Sequence, residues 1–166
     1  MKRIYLIGFM GTGKTTVGEA LGKLWSIPVY DTDKELEKIE GRSISTIFST
    51  DGEGYFRSRE TEILKAITDN ECIITTGGGM VLKEENRTYM KTNGKVVLLK
   101  ASIEEILNRI GNDHTRPLLE GDKKEKVSNL YLERLSLYEQ AAHIVINTDG
   151  KTIQTIINEI DKKLGD

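Results

Sequence analysis

Cysteine occurs once in the 166 residues, at Cys72, and histidine twice, at His114 and His143. That scarcity excludes a disulfide frame and leaves too few soft ligands for a zinc site. Cys72 opens an apolar run, where a lone thiol reads as a small buried hydrophobe. No apolar run approaches the ~20 residues of a membrane-crossing helix. An excess of either charge is lacking too: 24 Lys and Arg face 26 Asp and Glu, for a formal net charge of −2. Such a balance gives no electrostatic footing for nucleic acid or an anionic membrane surface. The first apolar run begins at Ile4, which leaves no room for a secretory leader. The expectation is a cytoplasmic soluble protein, monomeric by default, with no nucleic-acid or membrane partner.

What is present suits one folded domain over 1–166. Hydrophobic residues make up 37% and charged residues 30%, a globular balance at a length that buries a single sizeable core. Short apolar runs alternate with helical patterns, which predicts an α/β fold on a parallel sheet. The predicted strands are Ile4–Ile7, Pro28–Tyr30, Cys72–Thr76, Val96–Leu99 and Ile144–Ile146. Helices are expected from Lys14 to about Trp25, over Lys34–Glu40, Ile44–Phe48, Glu53–Thr68, Lys83–Met90, Ile103–Ile110, Val127–Ala142 and Ile153–Leu164. Two excursions leave this frame: a helical one over about 32–70 and a polar stretch over about 111–126. In open parallel sheets ligands bind beyond the carboxyl ends of the strands, and both excursions issue from that edge.

The strongest local signal is Gly8-Phe9-Met10-Gly11-Thr12-Gly13-Lys14-Thr15 between the first strand and the first helix. This is the phosphate-binding loop pattern G-x-x-x-x-G-K-[ST]. Backbone N–H groups converge on phosphate oxygens only if bulky side chains stay clear, hence the glycines. The helix start adds unpaired donors and a partial positive charge. Lys14 can then reach the β- and γ-phosphates and Thr15 can ligate magnesium. Gly11, Thr12, Gly13, Lys14, Thr15 and Thr16 are therefore the expected nucleotide contacts.

Several other groups lie on the same edge. Asp31 and Asp33 close the second strand, and side chains two apart leave a strand on one face. One carboxylate can serve magnesium through water while the other takes a proton from an acceptor hydroxyl; a helix N-cap pair is the alternative. Gly77-Gly78-Gly79 follows the third strand, read as close approach of a ligand to the main chain or as a flexible turn. Arg57 and Glu60 sit three apart, with Glu60 on a largely apolar face that demands a partner. They form either an oriented anion-binding pair or a surface ion pair. Arg134 lies at the centre of an apolar stripe of Val127, Leu130, Tyr131, Leu137, Tyr138 and Ala141. A guanidinium there requires an anion, supplied by a substrate carboxylate or by an internal one. The 111–126 stretch holds Arg116 and reads as a lid able to bring a cation to transferring phosphate. Arg109, near the end of the preceding helix, either flanks the nucleotide or is a solvated helix-end cation.

Taken together these motifs resemble the shikimate kinase family, and the resemblance runs along nearly the whole chain. It is carried by Ile7 to Thr15, Asp31-Thr32-Asp33, Gly52-Glu53 with Phe56-Arg57 and Glu60, Gly77-Gly78-Gly79, Arg116-Pro117-Leu118-Leu119, and Arg134 with Tyr138 and Ala141. The resemblance implies a P-loop nucleoside-kinase-like three-layer fold, a five-stranded parallel sheet of order 2-3-1-4-5 with helices on both faces. It implies transfer of the ATP γ-phosphate to the 3-hydroxyl of shikimate, on the route to chorismate and the aromatic amino acids. In that reading Asp33 binds the shikimate hydroxyls and acts as base or orienter. Arg57 and Arg134 clamp the carboxylate, Gly77, Gly78 and Gly79 line the pocket, and Phe48 and Phe56 wall the ring. Arg116 is the lid arginine, Thr15 holds Mg2+ directly and Asp31 assists through water. After the last strand, where the family places a base-side contact, the chain reads Thr148-Asp149-Gly150-Lys151, which makes Lys151 the nucleotide contact implied there. Gluconate and nucleoside monophosphate kinases share the loop and a lid but do not account for the Asp-x-Asp, the triple glycine and an inward Arg134 together. A non-catalytic guanine switch is disfavoured by the lack of an Asn-Lys-x-Asp segment.

Overall fold

The computed structural model describes residues 3–111 and 123–165. The first strand, β1 (Ile4–Ile7), runs through the glycine loop into α1 (Lys14–Trp25). A short β2 (Val29–Asp31) leads to α2 (Thr32–Glu40) and α3 (Ile44–Ala66). Then come β3 (Ile73–Thr75), a 3-10 turn at Met80–Leu82, α4 (Glu84–Asn93), β4 (Lys95–Lys100) and α5 (Ile103–Gly111). The chain closes with α6 (Lys123–Ala141), β5 (Ile144–Asn147) and α7 (Ile153–Gly165).

All four strand pairings are parallel, and the sheet order is β2-β3-β1-β4-β5. Alternation along the strands sorts side chains into two layers. Tyr5, Ile7, Val96 and Leu98 face one core with Met90, Ile106 and Tyr138. Ile4, Leu6, Val97 and Leu99 face the other with Val17, Leu21 and Ile160. Helices therefore cover both faces, as a fully buried parallel sheet requires.

The helical excursion has a small core of its own, made of Leu36, Ile47, Phe56 and Ile63. Within α3 the backbone breaks at Gly52, where φ is 83° and ψ is 172°, so 44–51 and 53–66 are separate helical segments. The expected interruption between Phe48 and Glu53 is this kink. Several expected boundaries shift by a few residues, and two of the shifts bear on the site. The Asp-x-Asp straddles a joint: Asp31 is the last residue of β2 and caps α2 with its carboxylate, while Asp33 already lies in the first turn of that helix. And α6 starts at Lys123 rather than Val127, so the borders of the expected 111–126 lid are helical. The rest of that lid, with Arg116, lies outside the described residues.

Candidate active site

The phosphate-binding loop is shaped by three left-handed or unusual backbone positions, Gly8 at φ 153°, Gly11 at 80° and Gly13 at 89°. A Cβ on Gly8 would stand 2.6 Å from the Leu99 carbonyl oxygen, so glycine there is a packing requirement of the β1–β4 edge. Thr12 is buried, and its hydroxyl donates to the Phe9 carbonyl at 2.8 Å, closing the loop on itself. Gly13 caps α1 without a side-chain bond and no acidic residue occupies the first turn, leaving the positive end of the helix to an anion. Lys14 Nζ donates to the carbonyls of Gly8 at 2.6 Å and Phe9 at 2.9 Å. The ammonium thus lies along the loop, and Thr15 and Thr16 present exposed side chains beside it.

Arg109 belongs to this same half-site. Its Nη1 donates to the Gly11 carbonyl at 2.9 Å while Nε is held by Glu105 at 3.0 Å. The guanidinium is braced against the loop while remaining partly exposed near the end of α5.

A second cluster on the same edge is organised by the three glycines after β3. A Cβ on Gly77 would stand 2.8 Å from Asp33 Oδ1 and 3.2 Å from Glu60 Oε2. On Gly78 it would stand 3.5 Å from Arg134 Nη1 and 3.7 Å from the Tyr138 hydroxyl. On Gly79 it would collide with the guanidinium of Arg57. The missing side chains at Gly77 and Gly79 therefore make room for Asp33 from α2 and Arg57 from α3, while Gly78 lies in ordinary contact range of Arg134 from α6. The two readings of this segment are a ligand against the main chain or a flexible turn; in the structure the space is taken by the protein's own side chains. The Gly77 N–H donates to the Thr32 hydroxyl at 3.3 Å, and Tyr138 donates to the Gly78 carbonyl at 2.6 Å.

Asp31 and Asp33 divide their labour differently from two side chains on a strand. Asp31 Oδ1 accepts from the N–H groups of Asp33 at 3.0 Å and Lys34 at 3.1 Å, the N-cap alternative. That bond fixes the first turn of α2 and, with it, Asp33. Burial, then the neighbouring Asp31 charge, raise the Asp33 carboxyl to about 6, against the pull of Lys14 and Arg57. A carboxylate so raised is a better proton acceptor near neutrality.

Arg57 Nη1 donates to Glu60 Oε1 at 3.0 Å, and its guanidinium packs 5.1 Å from the Phe56 ring centroid. Glu60 is 1% exposed, and burial raises its carboxyl to about 7 with Arg57 opposing. The surface-pair alternative is thus set aside. Among the described residues, Glu60 Oε2 and Arg134 Nε are buried without a hydrogen-bond partner, although the Arg134 guanidinium also bonds the Tyr138 hydroxyl. Arg134 is 8% exposed on a helix whose Val127, Tyr131, Tyr138 and Ala141 are buried, as the wheel requires. Burial drives Tyr138 to about 12, so it remains a hydrogen-bond donor. Phe48 and Phe56 stack at 4.7 Å between centroids, with Phe48 half-exposed.

Other expected residues fall elsewhere. Lys151 donates to Glu159 Oε2 at 2.8 Å, in a pair on the α7 side. Arg116 lies outside the described residues. Sequence reading missed Thr32, Thr61 and Asn86, all buried and polar; each sits at an inward position, where a hydroxyl or amide must be matched.

For a divalent cation, Thr15 offers an exposed hydroxyl at the loop and Asp31 retains the oxygen that does not cap α2. Among the described residues no group of three or more His, Cys, Asp or Glu is placed to hold a metal. This donor set fits a hard ion that keeps most of its ligands as water and phosphate oxygen. No helix of the described residues is long and apolar enough to cross a membrane.

A family model described as shikimate kinase matches residues 10–165. A Bacillus anthracis protein named shikimate kinase is 42% identical over 166 residues, the full length of both chains. The structure of shikimate kinase from Acinetobacter baumannii in complex with shikimate superposes with a TM-score of 0.93 at 36% identity, covering 99% of this chain and 93% of that one. A gluconokinase from Sinorhizobium meliloti, at 17% identity and a TM-score of 0.58 over 99% of this chain and 91% of that one, shares the fold alone.

Proposed function

The chain belongs to the shikimate kinase family, and from that premise we propose how its own residues carry the reaction. The activity is ATP-dependent phosphoryl transfer to shikimate, a step of the shikimate pathway toward the aromatic amino acids. The observation that supports the residue assignment best is the convergence of Asp33, Arg57 and Arg134 on Gly77, Gly78 and Gly79.

Gly11, Thr12, Gly13, Lys14, Thr15 and Thr16 cradle the ATP phosphates, the loop N–H groups and the Lys14 ammonium carrying the charge. Lys14 exchanges its bonds to the Gly8 and Phe9 carbonyls for phosphate oxygens. Arg109, braced on Gly11, flanks the nucleotide, and Arg116 is the lid arginine that meets the transferring phosphate. Lys151, the base-side contact that the family pattern implies, would have to exchange its bond to Glu159 for the nucleotide.

Arg57 and Arg134 hold the acceptor carboxylate, which completes the buried Arg134 guanidinium. This fixes the 3-hydroxyl against Asp33. As the hydroxyl oxygen bonds to the γ-phosphorus, its proton passes to Asp33. The bond from that phosphorus to the oxygen shared with the β-phosphate breaks, and ADP leaves with the electron pair. Mg2+, held by Thr15 with Asp31 assisting through water, would neutralise charge on the phosphates. In this reading the protein is a monomer of one kinase domain working in the cytoplasm.

The test is ADP release from ATP and Mg2+ with shikimate, quinate, gluconate or AMP as acceptor. Turnover with shikimate alone is expected. Turnover with another acceptor would remove the carboxylate clamp, and ATP binding without turnover would remove catalysis.

A further inference from the structure

The element that carries Arg57 and Glu60 is tied to the Gly77–Gly79 segment through a buried amide. Asn86, in the first turn of α4, is 1% exposed and uses both ends of its amide. Its Nδ2 donates to the Met80 carbonyl at 3.0 Å, and its Oδ1 accepts from the Thr61 hydroxyl at 2.9 Å. Thr61 follows Glu60 directly on α3, and its hydroxyl also stands 3.2 Å from the Arg57 carbonyl. Met80 opens the 3-10 turn that closes the glycine segment: its N–H bonds to the Gly77 carbonyl at 3.1 Å, and Leu82 N–H to the Gly79 carbonyl at 3.1 Å. One amide therefore spans from the acceptor-binding helix to the main chain that its arginine lies across.

Helix-to-helix packing alone sets spacing loosely, because apolar contacts are non-directional. A buried amide with both partners matched is directional, and losing either partner leaves an unsatisfied polar group. The position is also sensitive. The Arg57 guanidinium occupies the space of an absent Cβ on Gly79, so a small slide of α3 against the turn changes the slot between Arg57 and the loop. Arg87 holds the same turn from its solvent side, donating to the Val81 carbonyl at 2.7 Å. That clamp reaches the turn from α4 but does not reach α3.

We propose that Asn86, acting through Thr61 and the Met80 carbonyl, is a positioning residue for acceptor binding that sets the spacing between Arg57 and the glycine loop. The inference rests on the reading of Arg57 as a carboxylate contact. Neither Asn86 nor Thr61 touches the acceptor; they hold the residues that do. A misplacement of ~1 Å remote from the chemistry is enough to cost about a hundredfold, so sub-ångström slippage predicts a smaller, selective loss.

The experiment is steady-state kinetics for Asn86→Ala, Thr61→Val, their double variant and Thr61→Ser, with melting curves and Arg57→Ala alongside. Asn86→Ala and Thr61→Val are each expected to raise the shikimate KM about five- to tenfold, with the ATP KM within about twofold. The double variant should be no worse than the weaker single, since both remove one bridge. Thr61→Ser, which keeps the hydroxyl, should restore the wild-type KM. Equal loss in both substrates, or additive single effects, would overturn the inference. If Asn86→Ala does not fold, the Val and Ser pair at Thr61 decides it, because the two differ only in the hydroxyl's chemistry and one methyl group. An unchanged shikimate KM in Arg57→Ala would instead overturn the underlying reading of the clamp.

Discussion

At the scale of single residues the site is a set of charges placed where water is scarce, and Asp33 shows the cost. Its carboxyl stands at about 6 against an ordinary 3.8, chiefly through burial. The native state therefore binds the proton more tightly than the unfolded chain between about pH 4 and 6, so this group's contribution to stability falls as pH rises through that window. Asp33→Asn removes the penalty. It should melt higher than wild type above about pH 6, by up to about 1–3 kcal/mol, since each tenfold change in proton affinity is worth ~1.4 kcal/mol. The gap should close near pH 4. The same variant should lose about 10²–10⁴ in kcat with ATP affinity nearly unchanged. Paired melts at pH 4 and 7.5, with ATP titration, check both; a large loss of ATP binding would contradict the role of Asp33. Gly79 gives a separate test. Its φ of −96° suits any residue, so a Cβ in Gly79→Ala meets first the flexible end of Arg57. It should raise the shikimate KM about tenfold while the melting temperature stays within a few degrees, which kinetics and calorimetry would show. A collapse in stability would mean that the loop, not the arginine, needs the glycine.

At the scale of elements, the sequence showed the frame and hid the joints. The strands were legible because parallel strands buried on both faces are short apolar runs, and the phosphate loop because glycine spacing and Lys-Thr have one physical use. Arg134 was legible because a charge in the middle of an apolar stripe has few explanations. The start of α2 was not, since an aspartate can end a strand or cap a helix with the same neighbours; only the bonds from Asp33 and Lys34 to Asp31 decide it. The Thr61–Asn86 bridge joins residues 25 apart with no local pattern. The purpose of the triple glycine was equally hidden, because it is defined by side chains from three other helices. The excursion's own core makes an element-scale prediction. Leu36→Ala should cost about 2–5 kcal/mol if it behaves as a buried leucine, but the loss should fall on 32–66. Hydrogen exchange should quicken there before it does in β1 and β4, and the shikimate KM should rise ahead of the ATP KM. Uniform exchange across the sheet would show that the excursion is not a separate cooperative unit.

At the scale of the whole molecule, a single sheet edge joins two half-sites built from different materials. The phosphate half is mostly backbone: a glycine loop, a helix start and a lysine lying along carbonyls. The acceptor half is mostly side chain, with an aspartate and two arginines brought to one stretch of bare main chain. The central claim is that the buried Arg134 guanidinium, whose Nε has no partner among the described residues, is completed by the substrate's carboxylate and not by an internal one. The most direct test is Arg134→Ala with shikimate and ATP varied separately, followed by a melt of the same preparation. The expected result is a shikimate KM raised at least tenfold, about 1.4 kcal/mol or more, an ATP KM within about twofold, and a melting temperature within a few degrees of wild type. A variant that unfolds, or that loses both substrates alike, would show that the guanidinium's partner is internal and would contradict the claim.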